Sequence, residues 1–348
     1  MADKMKAVVL HKIDDLRIEE VPAPGAPGPD EVKVRTCNVG VCGSDVHYYK
    51  RGRIGDFVVK EPMILGHETG GEVIEVGSNV KNLKVGDKVA MEPGIPCWKC
   101  TFCKEGRYNL CQDIFFWATP PDHGSLAEYL VHPADFCFKL PEGVGTDEAA
   151  MIEPLAVGVH ACNVAGVRPG STVAVTGAGP IGLLAMQVAL AYGATTAIAT
   201  DVSPSRLALA EKLGAKLTIN PAKEDVVKRV LAATEGEGVD MVLECSGAAQ
   251  AISQSPYLVK PGGTIVWIGM THPPEVEIDQ VRLIINEIRT QGTFRYANAY
   301  PIAINLVAAG KVNLQPLITA RYPFEKAVEA IDMCSTGKAE QIKVMIDF

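Results

Sequence analysis

The 348-residue sequence predicts an α/β protein in two parts, an irregular β barrel over residues 1–154 and a doubly wound parallel sheet over residues 155–296. Three observations carry that reading. At about 150 residues per domain, the length suits two domains. The first part is rich in glycine and proline and breaks into short strands, as half-buried antiparallel sheet does. Beyond residue 154, uninterrupted apolar strands alternate with capped helices, the pattern of a parallel sheet covered on both faces.

In the first part, residues 6–10, 31–38, 71–76, 88–93 and 127–131 read as strands. Alternation is clearest where Val32, Val34 and Thr36 stand against Lys33 and Arg35, which puts one face of that strand on a core. Pro154 then opens a helix over 154–165, with Gly166 past its end. A strand at 172–176, a helix at 180–192 stopped by Gly193, and a strand at 196–200 follow. Ser203 caps a helix over 204–213 that stops at Gly214. Residues 217–219, 241–244, 264–268 and 292–294 supply the remaining strands. The tail, 297–348, adds two helices and two strands and is expected to return to the first domain.

Hydrophobic residues make up 47% and charged residues 21%, a balance that supports a packed core and excludes general disorder. The net charge is −8 and no basic run exceeds two residues, so neither nucleic acid nor an anionic membrane is an expected partner. The apolar run before His11 is too short for a secretory leader. Residues 169–200 carry no charge, yet their five glycines and two prolines divide them into strand, turn and helix. A soluble, cytoplasmic protein is expected. Four of the ten cysteines fall within fifteen positions, which points to reduced thiolates on a metal rather than to disulfides.

Gly177-Ala-Gly179-Pro-Ile181-Gly182 leaves a strand and enters a helix. Glycines at this spacing allow a tight turn, close approach of a pyrophosphate to backbone, and close packing of helix on strand. The helix N-terminus offers unpaired N–H groups to phosphate. Asp201 ends the next strand, 24 positions after Gly177, in reach of an adenosine ribose. A carboxylate there accepts from the 2′- and 3′-hydroxyls and repels a 2′-phosphate, so the expected cofactor is NAD. Arg206 has two readings, against the adenine or on a 2′-phosphate; Asp201 favours the first.

Cys97, Cys100, Cys103 and Cys111 lie in one lobe, residues 93–113. Four soft ligands with no open position describe a structural zinc. An iron–sulfur cluster is the alternative, but the last spacing is long and Gln112 stands where a proline usually follows. A second set is scattered: Cys42, His67, Glu68 and Glu153. Thiolate, imidazole and carboxylate with one position left open are what a catalytic zinc requires. Taken singly, each has an ordinary reading, Cys42 as a buried cysteine, His67 as a loop histidine and Glu153 as a helix N-cap before Pro154. Ser44, His47 and Tyr48 share one face of a short helix after Cys42. They form either a proton path to solvent or a plain polar helix face.

With these motifs in this order, the chain resembles the zinc-dependent medium-chain alcohol dehydrogenases. Gly66-His67-Glu68-x-x-Gly71-x5-Gly77-x-x-Val80 is similar to that family's zinc signature. CGSDVHYY, GRYNLC, FFWATPP, IEPLAVGVHAC and FRYANAYP resemble its polyol branch, the sorbitol (L-iditol) and xylitol dehydrogenases. The likeness runs through nearly the whole chain. It implies a GroES-like catalytic domain, residues 1–154 with 297–348, and a Rossmann NAD-binding domain, residues 155–296. It also implies Cys42, His67, Glu68 and Glu153 around a catalytic zinc, with Glu68 either a direct ligand or alternating with Glu153 and water. Tyr48, Phe57, Phe116, Glu153, Arg295 and Tyr296 are implied around the polyol. Gly269, Met270, Thr271, Phe294 and Arg295 are implied along the nicotinamide half. The family further implies a homotetramer. Two other functions compete. One is a threonine-type or simple secondary-alcohol dehydrogenase. The other is a zinc-free, nucleotide-binding structural relative of the quinone reductases, which lacks both cysteine-containing sets.

Overall fold

The structure, a computed structural model, describes residues 3–336 and 341–348. It divides into two compact units, Met1–Glu153 with Leu317–Phe348, and Pro154–Pro316.

In the first unit, strand Glu31–Gly40 is the organising element. It pairs antiparallel with Glu68–Val76 on one side, and on the other with Tyr129–Pro133 and Lys343–Asp347. Lys88–Met91 and Cys137–Lys139 extend the sheet beyond Glu68–Val76, while Ile318–Pro323 pairs parallel with Lys343–Asp347. A smaller sheet holds Asp15–Pro22, Lys4–Lys12 and Met63–Ile64. The alternation expected in the central strand is present. Val32, Val34 and Thr36 are buried, and Val32 and Val34 pack with Val73 and Leu130, while Arg35 faces solvent.

The second unit is a six-stranded parallel sheet in the spatial order Leu217–Ile219, Thr196–Thr200, Thr172–Thr176, Val239–Glu244, Val259–Trp267, Arg289–Gly292. Strand order reverses on either side of Thr172–Thr176, the geometry that opens a ligand crevice at the carboxyl ends of the strands. Helix Pro180–Ala191 begins directly after the first strand, and Pro204–Lys212 is capped by Ser203. Helices Val226–Ala233, Ala249–Leu258 and Gln280–Ile285 were not expected from the sequence.

The last strand of the sheet, expected at 292–294, is Arg289–Gly292, and two further expectations need correction. The helix expected to start at Pro154 runs from Thr146 to Ala165, with Pro154 inside it. Asp147 and Glu148 occupy its first turn, where carboxylates favour the helix dipole, and Gly145 N–H donates to Glu148 Oε2 at 3.0 Å. Glu153 is therefore an interior helical residue, not an N-cap. The tail also divides. Its two strands join the first unit, but helix Tyr300–Ala308 belongs to the second, so the boundary falls after residue 316 rather than 296. Tyr300, Ala303, Ile304 and Val307 are buried there. Gln187 clasps the following segment, accepting from Asn313 N–H at 2.8 Å and donating to the Asn313 carbonyl at 3.2 Å.

The one-sided burial of the central strand makes a contrast measurable. Val34→Ala removes two methyl groups from a closed core and is expected to lower unfolding free energy by about 2 kcal/mol. Arg35→Ala loses only an exposed pair with Glu72 (2.7 Å) and is expected to cost less than about 1 kcal/mol. Urea midpoints at unchanged slope report both. Equal losses would contradict the one-sided strand.

Candidate functional site

Cys42 stands where strand Glu31–Gly40 gives way to helix Gly43–Arg51, as the N-cap residue in extended conformation. Asp45, three residues on, folds back over this junction. Cys42 N–H donates to Asp45 Oδ2 at 3.0 Å, and Gly66 N–H donates to Asp45 Oδ1 at 2.9 Å. One buried carboxylate thus fixes both Cys42 and the segment that delivers His67 and Glu68. Ligand atoms of Cys42, His67 and Glu68 lie within 4.8 Å of one another. His67 Nδ1 is buried, has no hydrogen-bond partner among the described residues, and stands 3.9 Å from Asp45 Oδ1. The Phe116 ring lies beside the imidazole, 6.1 Å between centroids.

Burial by itself would make His67 less basic. Cys42 first, then Asp45 and Glu153, outweigh burial and take its pKa up to about 10. A buried cluster that draws a proton this strongly onto an imidazole carries an excess of negative charge, and the same excess favours a metal cation. Sulfur, imidazole nitrogen and carboxylate oxygen are zinc donors, so these residues fit zinc. Glu153 is buried within helix Thr146–Ala165 and lies outside the close group, although its charge is felt at His67.

Glu68 has a strong partner. Both its oxygens lie 2.7 Å from Lys343 Nζ, which also donates to the Val41 carbonyl at 3.2 Å. Both side chains are buried. Burial alone would lower the Lys343 pKa, but Glu68 and then Cys42 reverse that, and the ammonium is held above its ordinary range. Sequence reading missed both Asp45 and Lys343. Asp45 had a local signal, an acid three residues after an N-cap. Lys343 had none, because it reaches Glu68 from 275 residues away, delivered by the strand pairing.

Ser44, His47 and Tyr48 are all on helix Gly43–Arg51, Tyr48 buried and the other two half-buried. Phe57 lies on the short strand Phe57–Val58 and is 39% exposed.

The four lobe cysteines gather as a second group, with all ligand sulfurs within 4.8 Å of one another. Cys100 Sγ lies 3.4 Å from Cys103 Sγ, and Cys97 Sγ lies 4.0 Å from it. These values bracket the ~3.8 Å edge of a tetrahedron with zinc–sulfur bonds of about 2.3 Å. A multi-iron cluster would hold its sulfurs farther apart. Backbone N–H groups of Lys99 and Cys100 each donate to Cys97 Sγ at 3.4 Å and draw its pKa down, which favours the thiolate.

In the second unit, Gly177 adopts φ +89°, and a Cβ on Gly182 would collide with the Gly177 carbonyl. Both positions require glycine. Gly179 is the N-cap of helix Pro180–Ala191, with Ile181 in its first turn. Asp201 is buried, and its carboxylate fastens the turn: Ala178 N–H donates to Oδ2 and Ser203 N–H to Oδ1, each at 2.8 Å. Each oxygen keeps a lone pair for a ribose hydroxyl. Arg206 Nη1 lies 3.8 Å from Asp201 Oδ2 and lines the open side of Gly179. Gly269, Met270 and Thr271 follow strand Val259–Trp267, with Met270 exposed. Phe294, Arg295 and Tyr296 follow Arg289–Gly292. The Arg295 guanidinium lies 4.7 Å from the Phe294 ring centroid, with Arg295 at φ +53°, and buried Tyr296 packs on Tyr300. All these residues lie past the carboxyl ends of parallel strands, as a dinucleotide crevice requires.

Residues 28–142 match the alcohol dehydrogenase GroES-like domain, and residues 180–309 match the zinc-binding dehydrogenase domain. Sorbitol dehydrogenase of Gallus gallus is 48% identical over 98% of this chain and 95% of its own length. An Escherichia coli oxidoreductase of unknown specificity superposes with a TM-score of 0.95 at 39% identity, covering 99% of each chain. A zinc-binding dehydrogenase of Sinorhizobium meliloti 1021, solved with NADP bound, superposes with a TM-score of 0.91 at 34% identity over 99% of this chain and 100% of its own. The expected pairing of a GroES-like domain with a Rossmann sheet is borne out, and the chain belongs to the polyol branch of the zinc-dependent medium-chain dehydrogenase family.

Proposed function

We propose that the chain oxidises a secondary hydroxyl of a sorbitol- or xylitol-type polyol to a ketose, with NAD as hydride acceptor and zinc at the Cys42 site. The first unit is read as catalytic and the second as NAD-binding. The observation that carries this reading is the convergence of the ligand atoms of Cys42, His67 and Glu68, in a chain whose other unit has an acid-tethered glycine turn. The 48% identity with a sorbitol dehydrogenase supports the substrate class.

Cys42 and His67 hold the zinc, with Glu68 or Glu153 completing the set. Zinc bound there acts as a Lewis acid and makes a hydroxyl proton easier to lose near neutral pH. Asp45 keeps Cys42 and the His67 segment in register. Lys343 balances the Glu68 charge. The released proton leaves through water or Glu153, or through Ser44 and the ribose hydroxyl toward His47. Tyr48, Phe57, Phe116, Glu153, Arg295 and Tyr296 surround the polyol, where the fork of donors on Arg295 fixes a hydroxyl-rich chain in one register. Asp201 accepts from the ribose diol and disfavours a 2′-phosphate, Arg206 lies against the adenine, and Gly269–Thr271 with Phe294 and Arg295 take the nicotinamide half. Cys97, Cys100, Cys103 and Cys111 hold a structural zinc.

A homotetramer is also proposed. Exposed Val281, Ile284 and Ile285 lie just before the edge strand Arg289–Gly292, and together they offer an apolar, strand-pairing surface. No described helix is long and apolar enough to cross a membrane, and the reduced cysteines suit the cytoplasm.

The deciding measurement is NAD reduction across sorbitol, xylitol, L-arabinitol, galactitol, threonine and simple secondary alcohols. Preference for threonine or a simple alcohol would defeat the polyol reading, and a protein without zinc or turnover would favour the quinone-reductase alternative. The metal roles separate by mutation. Cys42→Ser should lose more than about 100-fold in kcat with its melting temperature kept, since even outer partners of a metal are worth 10–100-fold. Cys100→Ser should lower Tm by about 5 °C or more. Full activity in folded Cys42→Ser would remove that residue from the metal. Asp201→Ala should shrink the NAD-over-NADP ratio of kcat/KM by about tenfold or more, the value of a charge-assisted hydrogen bond. A wild type that prefers NADP would transfer the ribose-phosphate role to Arg206. Arg295→Ala should raise KM for polyols by about tenfold and for simple secondary alcohols by less than about twofold. Equal changes would take Arg295 out of the polyol site.

A further inference from the structure

Glu244 ends strand Val239–Glu244, in register with Thr176 on one neighbouring strand and Trp267 on the other. Its side chain is completely buried. No lysine, arginine or histidine pairs with it among the described residues; the carboxylate is met entirely by N–H and O–H donors. Oε1 accepts from Ser246 N–H at 2.9 Å, from Gly247 N–H at 3.1 Å, from Thr176 Oγ1 at 3.3 Å and from the Ser246 hydroxyl. Oε2 accepts from Gly247 N–H at 3.3 Å. The Glu244 carbonyl accepts from Ile268 and Gly269 N–H, at 2.8 and 2.9 Å. Burial pushes the carboxyl pKa up while these donors pull against it.

The donors are placed where they matter. Glu244 folds residues 245–248 into a wedge between the glycine turn and the strip that begins at Gly269. A Cβ on Gly177 would come within 2.9 Å of the Ser246 backbone, and one on Gly247, at φ +65°, would strike the Met270 carbonyl. A Cβ on Gly269 would in turn strike Gly247 N. Both sides of the proposed dinucleotide crevice therefore rest on one segment, and one carboxylate sets the shape of that segment. Burying a carboxylate without a cation is expensive, and apolar or amide side chains would fill the same space at lower cost.

We propose that Glu244 is a positioning residue for the dinucleotide: it holds the glycine turn and the Gly269–Thr271 strip at the separation that NAD spans. The proposal rests on the reading of the second unit as an NAD site. Glutamine keeps the volume but replaces one acceptor oxygen with an NH2 group that opposes the Gly247 or Ser246 donors. Aspartate keeps charge and both oxygens but draws them back by one methylene.

The test is the dissociation constant of NADH, followed by the nucleotide's own fluorescence on zinc-loaded wild type, Glu244→Gln and Glu244→Asp, with AMP as a second ligand. Both variants should bind NADH about tenfold or more weakly, while AMP, whose ribose meets Asp201, changes by less than about threefold. The KM for NAD should rise in parallel with kcat at saturating NAD kept within about twofold. If Glu244→Gln fails to fold, Glu244→Asp alone decides. Unchanged NADH binding in a folded variant overturns the proposal. So does tighter binding by the glutamine variant, which would show that the charge merely repels phosphate, and so does an equal loss of NADH and AMP, which would show general damage. A wild type that binds neither NADH nor NADPH would instead overturn the reading of the second unit.

Discussion

Asp45, Glu68 and Glu153 bring three carboxyl groups into the interior of one unit, close to half-buried Cys42, and withdrawing such groups from water costs several kcal/mol each unless something meets them. Much of the first unit can be understood as the means of meeting them. Asp45 is answered by two backbone N–H groups, which is why helix Gly43–Arg51 starts where it does and why Gly66 approaches it. Glu68 is answered by Lys343, and that ammonium is available only because the last strand pairs with Glu31–Gly40. The remaining imbalance falls on His67, whose raised pKa records it. A divalent cation completes the balance, so the charge arrangement and the proposed zinc site are one feature seen from two sides.

The second unit relies throughout on the solution that the first uses at Asp45. Asp201 and Glu244 are buried carboxylates at the ends of the two strands that flank Thr172–Thr176, and backbone amides supply most of their partners. Amides cannot move away as a lysine side chain can. An acid satisfied by amides therefore fixes backbone shape, which is what a phosphate-binding turn needs, since its own donors are backbone N–H groups. Asp45 in the first unit sets geometry in the same way, whereas Glu68, answered by a lysine, sets charge.

The legibility of these features in the sequence follows from how far apart their parts lie. The strands Thr172–Thr176 and Thr196–Thr200, the cap at Ser203 and the stop at Gly214 were readable, because each depends on residues within one turn or one strand. The cysteine lobe was readable for the same reason. Pro154 misled because proline is both a common first residue of helices and, here, an interior residue carried by the strong helix formers before it. The edge strand Arg289–Gly292 was placed too late because it is polar throughout and has no apolar period to mark it. Lys343 is an ordinary lysine in the sequence, and only a pairing that spans 275 residues gives it a partner.

The same difference in range separates the two proposed metal sites physically. The lobe draws all four ligands from one short segment, so its sulfurs can converge with little help from the rest of the chain, and metal binding there amounts to local folding. The Cys42 site draws its parts from a strand end, a loop, a helix and the last strand, and it acquires its charge balance only after Lys343–Asp347 has docked on Glu31–Gly40. Closing so long a loop costs entropy that must be recovered by contacts formed at the same time. The charge balance of the proposed open site is therefore a property of the completed unit, and any change that loosens the last strand leaves Glu68 without the ammonium that pairs with it.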